Sequence, residues 1–397
     1  MVNNWGEDML SIRAGRVDRV LSARPGLTEI LVEVDGRLEK AINYDYLTGS
    51  VSPGDKVQLN VTAVQLGLGT GGWHFVMANT SNTGMDDRQA GHLMKLRYTP
   101  VQVKVLGVEE ETSPYRGVIE QCSSLVGTPV VVGSLHSMLP PTAAGAKQAG
   151  GRRLRVAYVM TDGAALPMVF SRLVPELKEK GLIDGTVTVG HAFGGDLEAV
   201  NIYTGLLAAK EVLQADVILV AMGPGIVGTG TTWGFSGVEQ GAILNAVHVL
   251  GGEPVAVPRI SFADPRPRHR GLSHHTVTVL GRATLVPVIV PLPVMGGEKR
   301  RHVLEQIRRE GLEGRHRFLE QDGTPALTYL DHLGVRVTSM GRSPQEDAEF
   351  FLAAGAAGHV AAGLIKSSVV GRQKKYGDVF FLDNLIPRGW QSPENRV

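Results

Sequence analysis

Disulfides, export and membrane insertion have little to build on in this sequence. It holds one cysteine, Cys122. A lone thiol closes no internal disulfide, builds no cysteine-based zinc framework, and fits a reducing compartment. The start, Met1 to Gly15, lacks a basic stretch followed by an apolar run, so no secretory signal is visible. The most apolar stretch, Ala283 to Pro293, contains Pro287, Pro291 and Pro293 and is too short to span a bilayer. No charge excess exists either: Lys plus Arg is 40, Asp plus Glu is 39, and the formal charge is +1. That balance argues against wholesale coating of nucleic acid. What remains is a soluble, cytoplasmic expectation. With 43% hydrophobic and 20% charged residues the composition is globular, and 397 residues exceed one small core, so two domains are expected.

Glycine is abundant, at 50 residues, and falls between apolar runs rather than periodically. This is how a fold with many tight strand-to-helix turns looks. The fold class expected is α/β, with an N-terminal small β-barrel (SH3- or OB-like) module followed by a mostly parallel α/β sheet domain and C-terminal helices. The divisions expected are 1–80 for the barrel, 81–112 for a linker and extended segment, 113–365 for the α/β domain, and 366–397 for a tail.

In the barrel module, Ser11 to Val20, Thr28 to Val34, Lys40 to Tyr44, Lys56 to Val64 and Trp73 to Ala78 read as short strands. Turn signals such as Asp35-Gly36 and Pro53-Gly54 separate them. Tyr44, Trp73 and Phe75 with Arg13, Arg16 and Arg19 are the residue types that stack and neutralise nucleic acid. The aromatics also alternate as core residues do, so a packing or interface module is the simpler reading.

Beyond residue 112 the pattern alternates between strand and helix, the signature of a parallel sheet. Strands are expected at Pro129 to Val132, Arg155 to Met160, Thr186 to Val189, Val217 to Ala221, Pro254 to Val257 and Thr284 to Val290. Helices are expected at Ser113 to Leu125, Ala165 to Lys180, Leu197 to Leu213, Gly237 to Leu250, Glu298 to Glu310, Pro325 to Leu333 and Pro344 to Leu364. The Ala- and Gly-rich stretch Ala353 to Gly363 points to close helix packing.

Ligands of open parallel sheets bind beyond the carboxyl ends of the strands. There the sequence sets Ser134 and His136; Thr161 and Asp162; His191 and Asp196; Gly223, Gly225, Gly228, Thr229, Gly230 and Thr231; and Arg259, Asp264, Arg266, Arg268, His269, Arg270, Ser273, His274 and His275. Any one such turn is ordinary, because Gly, Asp, Ser and Thr make turns and caps. Five in succession suggest a shared site.

Gly223 to Gly228 matches G-x-G-x-x-G, but Ser236-Gly237-Val238-Glu239 reads as a capping box. The helix then starts too late for a dinucleotide turn. No G-K-[ST] follows, so this is no P-loop, and no serine sits in G-x-S-x-G. What survives is a Gly/Thr loop suited to an anion. Asp264 to Thr276 is rich in arginine, which matches carboxylate or phosphate, and in histidine, which exchanges protons near neutrality. His136, Asp162, His191, Asp196, His274 and His275 have metal-ligand chemistry without H-x-x-x-H or H-E-x-x-H spacing. No metal is assigned and no cofactor is identified.

The strings Ser134 to Pro141, Thr161 to Pro167, Gly190 to Ala199, Met222 to Thr231, Arg259 to Arg270 and Ser273 to Thr276 resemble those of a bacterial family known as domain of unknown function 3866. The resemblance covers nearly the whole chain. It implies a bacterial cytoplasmic origin and no activity, substrate or catalytic residue.

The function expected is therefore that of an α/β enzyme acting on a small anionic, perhaps phosphorylated, metabolite. Asp162, His191 and His274 or His275 would do acid–base work, with Asp196 orienting a histidine. The alternatives are a metabolite-sensing or partner-binding protein without catalysis, and a nicotinamide-dependent oxidoreductase. The partners expected are the anionic ligand and other copies of the chain in a homo-oligomer, with no membrane and no clear nucleic acid.

Overall fold

A computed structural model describes residues 9–69, 71–82, 84, 86 and 90–369. The chain divides into two compact units, residues 1–90 with 96–104, and residues 91–95 with 105–397. Parts of the expected 81–112 linker and most of the tail, residues 370–397, lie outside the described residues.

In the first unit Ile12–Arg24, Leu27–Val34, Arg37–Tyr44, Lys56–Asn60 and Trp73–Asn79 form a closed five-stranded barrel. Asp35 and Gly36 both take positive φ, 50° and 74°, as a two-residue hairpin turn requires. Aliphatic residues fill the barrel, among them Val17, Ile30, Val32, Val57, Leu59 and Val76. The aromatics correct the sequence reading. His74 and Val76 take the buried positions, while Trp73 and Phe75, with the alternate parity, are half-buried. Tyr44 stacks on Phe75 at 6.0 Å, and Lys40 lies over Trp73 at 5.5 Å.

The second unit is built on eight parallel strands in the spatial order Leu197–Glu198, Gly185–Thr188, Val156–Thr161, Val217–Met222, Pro129–Val132, Glu253–Ala256, Ile289–Pro293, Arg317–Gln321. The central strands are buried along their length, which is why they read as continuous Val/Ile/Leu runs without alternation. The chain starts at Pro129–Val132, builds outward one way, returns to fill the gap with Val217–Met222, then builds outward the other way. The direction reverses around the ends of Thr161, Met222, Val132 and Ala256, the place where such sheets bind ligands.

Several sequence expectations need correction. The segment after Ser113-Pro114 is a turn, and the helix covers only Arg116–Gln121. Residues 165–168 are held out of a helix by backbone bonds from Ala165 N to Pro224 O and from Met168 N to Phe193 O, so the helix is Leu173–Glu179. Leu197–Glu198 is an edge strand, and the helix after it, Ile202–Glu211, is capped by Asn201, whose side chain accepts from Tyr203 N and Thr204 N. Residues 279–283 are a π-helical turn, which delays the strand to Ile289–Pro293. The helix Leu139–Gly150, with Pro140 and Pro141 in its first turn where proline is tolerated, and the strand Arg317–Gln321 were not anticipated. The last helix begins at Ala348, after a turn closed by Ser343 N to Glu346, and continues to Val369.

By length and composition, residues 348–365 of that helix could cross a membrane. Its apolar residues are core residues here: Phe350, Phe351, Ala354, Ala357 and Ala361 are buried in one cluster with Ala143, Ala144 and Ala146 of the Leu139–Gly150 helix. The close packing read from Ala353 to Gly363 is observed. A Cβ on Gly358 would stand 1.9 Å from Thr142 O, and one on Gly145 would stand 2.1 Å from Gly355 O. Gly358→Ala should therefore cost about 1–3 kcal/mol or more through forced separation of the helices. Gly363→Ala, which meets nothing within 4 Å, should be neutral or stabilising by up to about 1 kcal/mol. Denaturant unfolding of the two variants checks the pair.

Candidate functional site

The segment after Glu253–Ala256 folds back on itself. Ile260–Ser261 pairs antiparallel with Gly271–Leu272, Pro267–His269 makes a 3-10 turn between them, and Ser273 caps the helix His274–Thr278 by accepting from His275 N. These turns bring His269, His274 and His275 together. Their ring centroids lie 4.9 Å (269 to 274), 5.0 Å (269 to 275) and 4.3 Å (274 to 275) apart. His269 Nδ1 shares a 2.7 Å hydrogen bond with Ser273 Oγ, and His275 Nδ1 stands 3.5 Å from Arg259 Nη1. The His275 ring stacks flat on Phe235 at 3.9 Å. His274 Nε2 is buried with no hydrogen-bond partner. Burial, reinforced by Arg259 and Arg266, pushes His269 down to about 3. Burial and the neighbouring His274 and Arg259 push His275 down to about 3. His274 is also lowered, by burial and then Arg268. All three imidazoles are thus neutral near pH 7.

Asp264 organises the arginines around them. Its side chain is fully buried. It accepts from Arg266 Nε at 2.9 Å and Nη2 at 2.7 Å, with Arg259 at 3.4 Å and Arg342 at 3.6 Å. Arg266 above all holds the Asp264 carboxyl far below the usual carboxylate range. Arg342 also pairs with Asp347 at 3.0 Å, and Asp347 accepts from Ser261 at 2.8 Å. Arg268 differs: it is exposed and has no ion pair to a carboxylate among the described residues. Arg270 turns elsewhere, with its guanidinium 5.7 Å from the Phe262 ring. There it lines a cleft with Lys299, His302 and Glu349.

The Gly/Thr loop lies against this cluster. A Cβ on Gly228 would stand 3.4 Å from His275 Cε1, and one on Gly230 3.4 Å from Arg268 Cζ. Its hydroxyls are used inside the loop: Thr229 Oγ1 donates to Gly234 O at 2.9 Å, and Gly234 N donates to Thr231 Oγ1 at 3.1 Å. Gly225 and Gly230 take φ of 111° and 83°, which suits them to glycine. Gly223 is pressed against Ala165 O, 2.5 Å from where a Cβ would be.

The loop returns through Phe235 into a 3-10 turn, Ser236–Val238, and the helix Glu239–Val249. The expected capping box is absent. Ser236 Oγ accepts from Val227 N, and Glu239 reaches instead across to the sheet, where Thr161 Oγ1 donates to Glu239 Oε1 at 2.5 Å. Gln240, buried beside it, donates to Val132 O at 2.6 Å and Val257 O at 3.1 Å. Phe235 to Gln240 therefore ties together the ends of three central strands and the histidine cluster. Burial raises Glu239 to about 7, and the Asp162 charge adds to the rise. Asp162 itself accepts from His191 N at 2.8 Å. Glu239 was missed in the sequence because the apparent capping box accounted for it, and Phe235 carried no signal of its own.

Other expected members stand apart. Asp196 does not orient a histidine: it accepts from Lys178 Nζ at 2.6 Å and from Thr186 Oγ1 at 2.9 Å. Burial alone would raise its carboxyl, but these partners outweigh that and lower it. His136 is buried between Ser171 Oγ at 2.7 Å and Tyr158 OH at 3.2 Å, and burial pushes it down to about 4. Ser134 is buried, and its Cβ lies 3.2 Å from where a Cβ on Gly237 would be. The histidines that meet are 269, 274 and 275, without His136 or His191.

The raised Glu239 carboxyl makes a pH prediction. It binds its proton more tightly in the folded chain than in the unfolded one, where the ordinary value is 4.5. Its contribution is complete below about pH 4.5 and is lost as pH rises toward about 7. Wild type should therefore lose on the order of 3 kcal/mol relative to Glu239→Gln across that window. Parallel unfolding curves at several pH values check this, and equal pH dependence of the two chains would refute it.

Compared with known proteins, residues 40–358 match the family described as "Protein of unknown function (DUF3866)". No curated protein matches the chain.

Proposed function

The chain belongs to the DUF3866 family of unknown function, and from the geometry of its site we propose that it is an enzyme acting on a small anionic metabolite by acid–base chemistry. One observation carries this reading. The segment from Phe235 to Glu239 joins a buried carboxyl that titrates near neutrality to three neutral, arginine-backed histidines at the reversal point of a parallel sheet. Strongly shifted groups at such a place are the physical signature of a candidate functional site.

In this reading Glu239 takes up and releases the proton, because a general acid–base group works best with a pKa near the working pH. Thr161 fixes its orientation, and Asp162 keeps its proton affinity high. Arg268 holds the anion, since Arg259, Arg266 and Arg342 are already engaged by Asp264 and Asp347. His274 and His275 supply neutral donors or acceptors beside it. A reducing, cytoplasmic setting fits the single thiol.

The test is a calorimetric screen of phosphomonoesters and small carboxylates, with turnover followed by NMR. Arg268→Ala should weaken binding of the ligand found by about tenfold or more, the size of a charge-assisted hydrogen bond. Glu239→Gln should retain binding and lose about 100-fold or more in turnover. Binding without turnover in the wild-type chain would replace the enzyme with a metabolite sensor. Absence of any anion binding would remove both.

A further inference from the structure

The histidine cluster has features that acid–base chemistry does not need. One imidazole would serve as an acid or base, yet three have ligand nitrogens within 4.8 Å of one another. Their rings come from two separate turns, the Pro267–His269 turn and the start of the His274–Thr278 helix, so chain adjacency alone does not explain the meeting. His274 Nε2 is buried and makes no hydrogen bond. A buried imidazole nitrogen without a partner forfeits a hydrogen bond that water would supply, unless something else takes its lone pair.

We propose that His269, His274 and His275 form a three-histidine site for a divalent transition metal of the zinc or cobalt type. This deepens the reading of the same site given above, by naming a cofactor for it, but it stands on separate observations. Nitrogens bound at about 2.0–2.1 Å in a tetrahedral set lie roughly 3.3 Å apart, so small side-chain rotations close the cluster onto an ion. Support around the rings has the form that metal-bound histidines show. Ser273 Oγ holds one ring nitrogen of His269, leaving the other for the ion, and Phe235 fixes the plane of His275. The Gly/Thr loop passes over the His275 edge at Gly228, where a Cβ would lie 3.4 Å from the ring.

The nearby arginines are consistent with this assignment. Asp264 and Asp347 offset most of the charge of Arg259, Arg266 and Arg342. Three protein ligands leave a fourth position open, as in catalytic rather than structural zinc sites. An anion in that position would meet the metal on one side and Arg268 on the other. Arg259, 3.5 Å from His275 Nδ1, also lies 3.4 Å from the Asp264 carboxylate. The sequence spacing, H-x-x-x-x-H-H, matches none of the usual zinc motifs, because the site is made by a hairpin and a cap rather than by one helix face.

The experiment is a Co(II) titration of the full chain after chelator treatment, read by visible absorption and calorimetry. One equivalent should bind with the intense bands of a tetrahedral site. His269→Ala, His274→Ala and His275→Ala should each weaken binding by at least about tenfold. His274→Gln keeps the volume and polarity at the position and should lose the bands while melting like wild type. The exposed His248→Ala should bind as wild type does. The absence of a stoichiometric tetrahedral spectrum, or its persistence in the His274 variants, overturns the proposal. Co(II) binding and turnover of the wild-type chain are read separately, so a metal site without turnover and turnover without a metal site are told apart.

Discussion

The Asp264 carboxylate is the constraint on which the site depends. It is fully buried and gathers Arg259, Arg266 and Arg342. Removing one partner from such a buried set typically costs 3–5 kcal/mol, because the remaining charges stay in a low-dielectric setting. The loop from Arg259 to Arg270 is therefore pinned at its middle. Pinned in that way, it returns as a short antiparallel strand and delivers His269 to His274 and His275. A solvated basic loop with the same composition would have no reason to converge.

Two chemistries then share one rim of the sheet. On one side are neutral imidazoles in a positive surround. On the other is a carboxyl, Glu239, whose proton affinity is raised by burial and by Asp162. The segment from Phe235 to Gln240 connects them through a ring stack, a carboxyl hydrogen bond and an amide bridging two strand ends. Few residues do this, and all lie at the start of one helix.

Much of the fold was legible in the residues. Continuous runs such as Val217–Met222 announce buried parallel strands, and Asp35-Gly36 announces a hairpin. Helix ends were less legible, because tertiary hydrogen bonds decide them. Ala165 to Met168 has helical character, yet Pro224 and Phe193 take its backbone donors. The gathering of these turns along one edge was legible too, since parallel strands all end on the same side of the sheet. Its membership was only partly so. Asp196 is spent on Lys178, and Glu239 hid inside an apparent cap. A residue's type reveals what it can bind, whereas its partner depends on contacts between distant segments.

The strand order has a consequence during synthesis. Pro129–Val132 and Val156–Thr161 are made early but are not neighbours; Val217–Met222 lies between them. The 55 residues numbered 162–216 must be translated before that strand begins. At ~5–20 residues per second the delay is roughly 3–11 seconds. Throughout it, two apolar strand edges at the centre of the future sheet have no partner from their own chain, and such edges pair readily with other chains. The strand Val217–Met222, which later borders the site, is the one that ends this exposure.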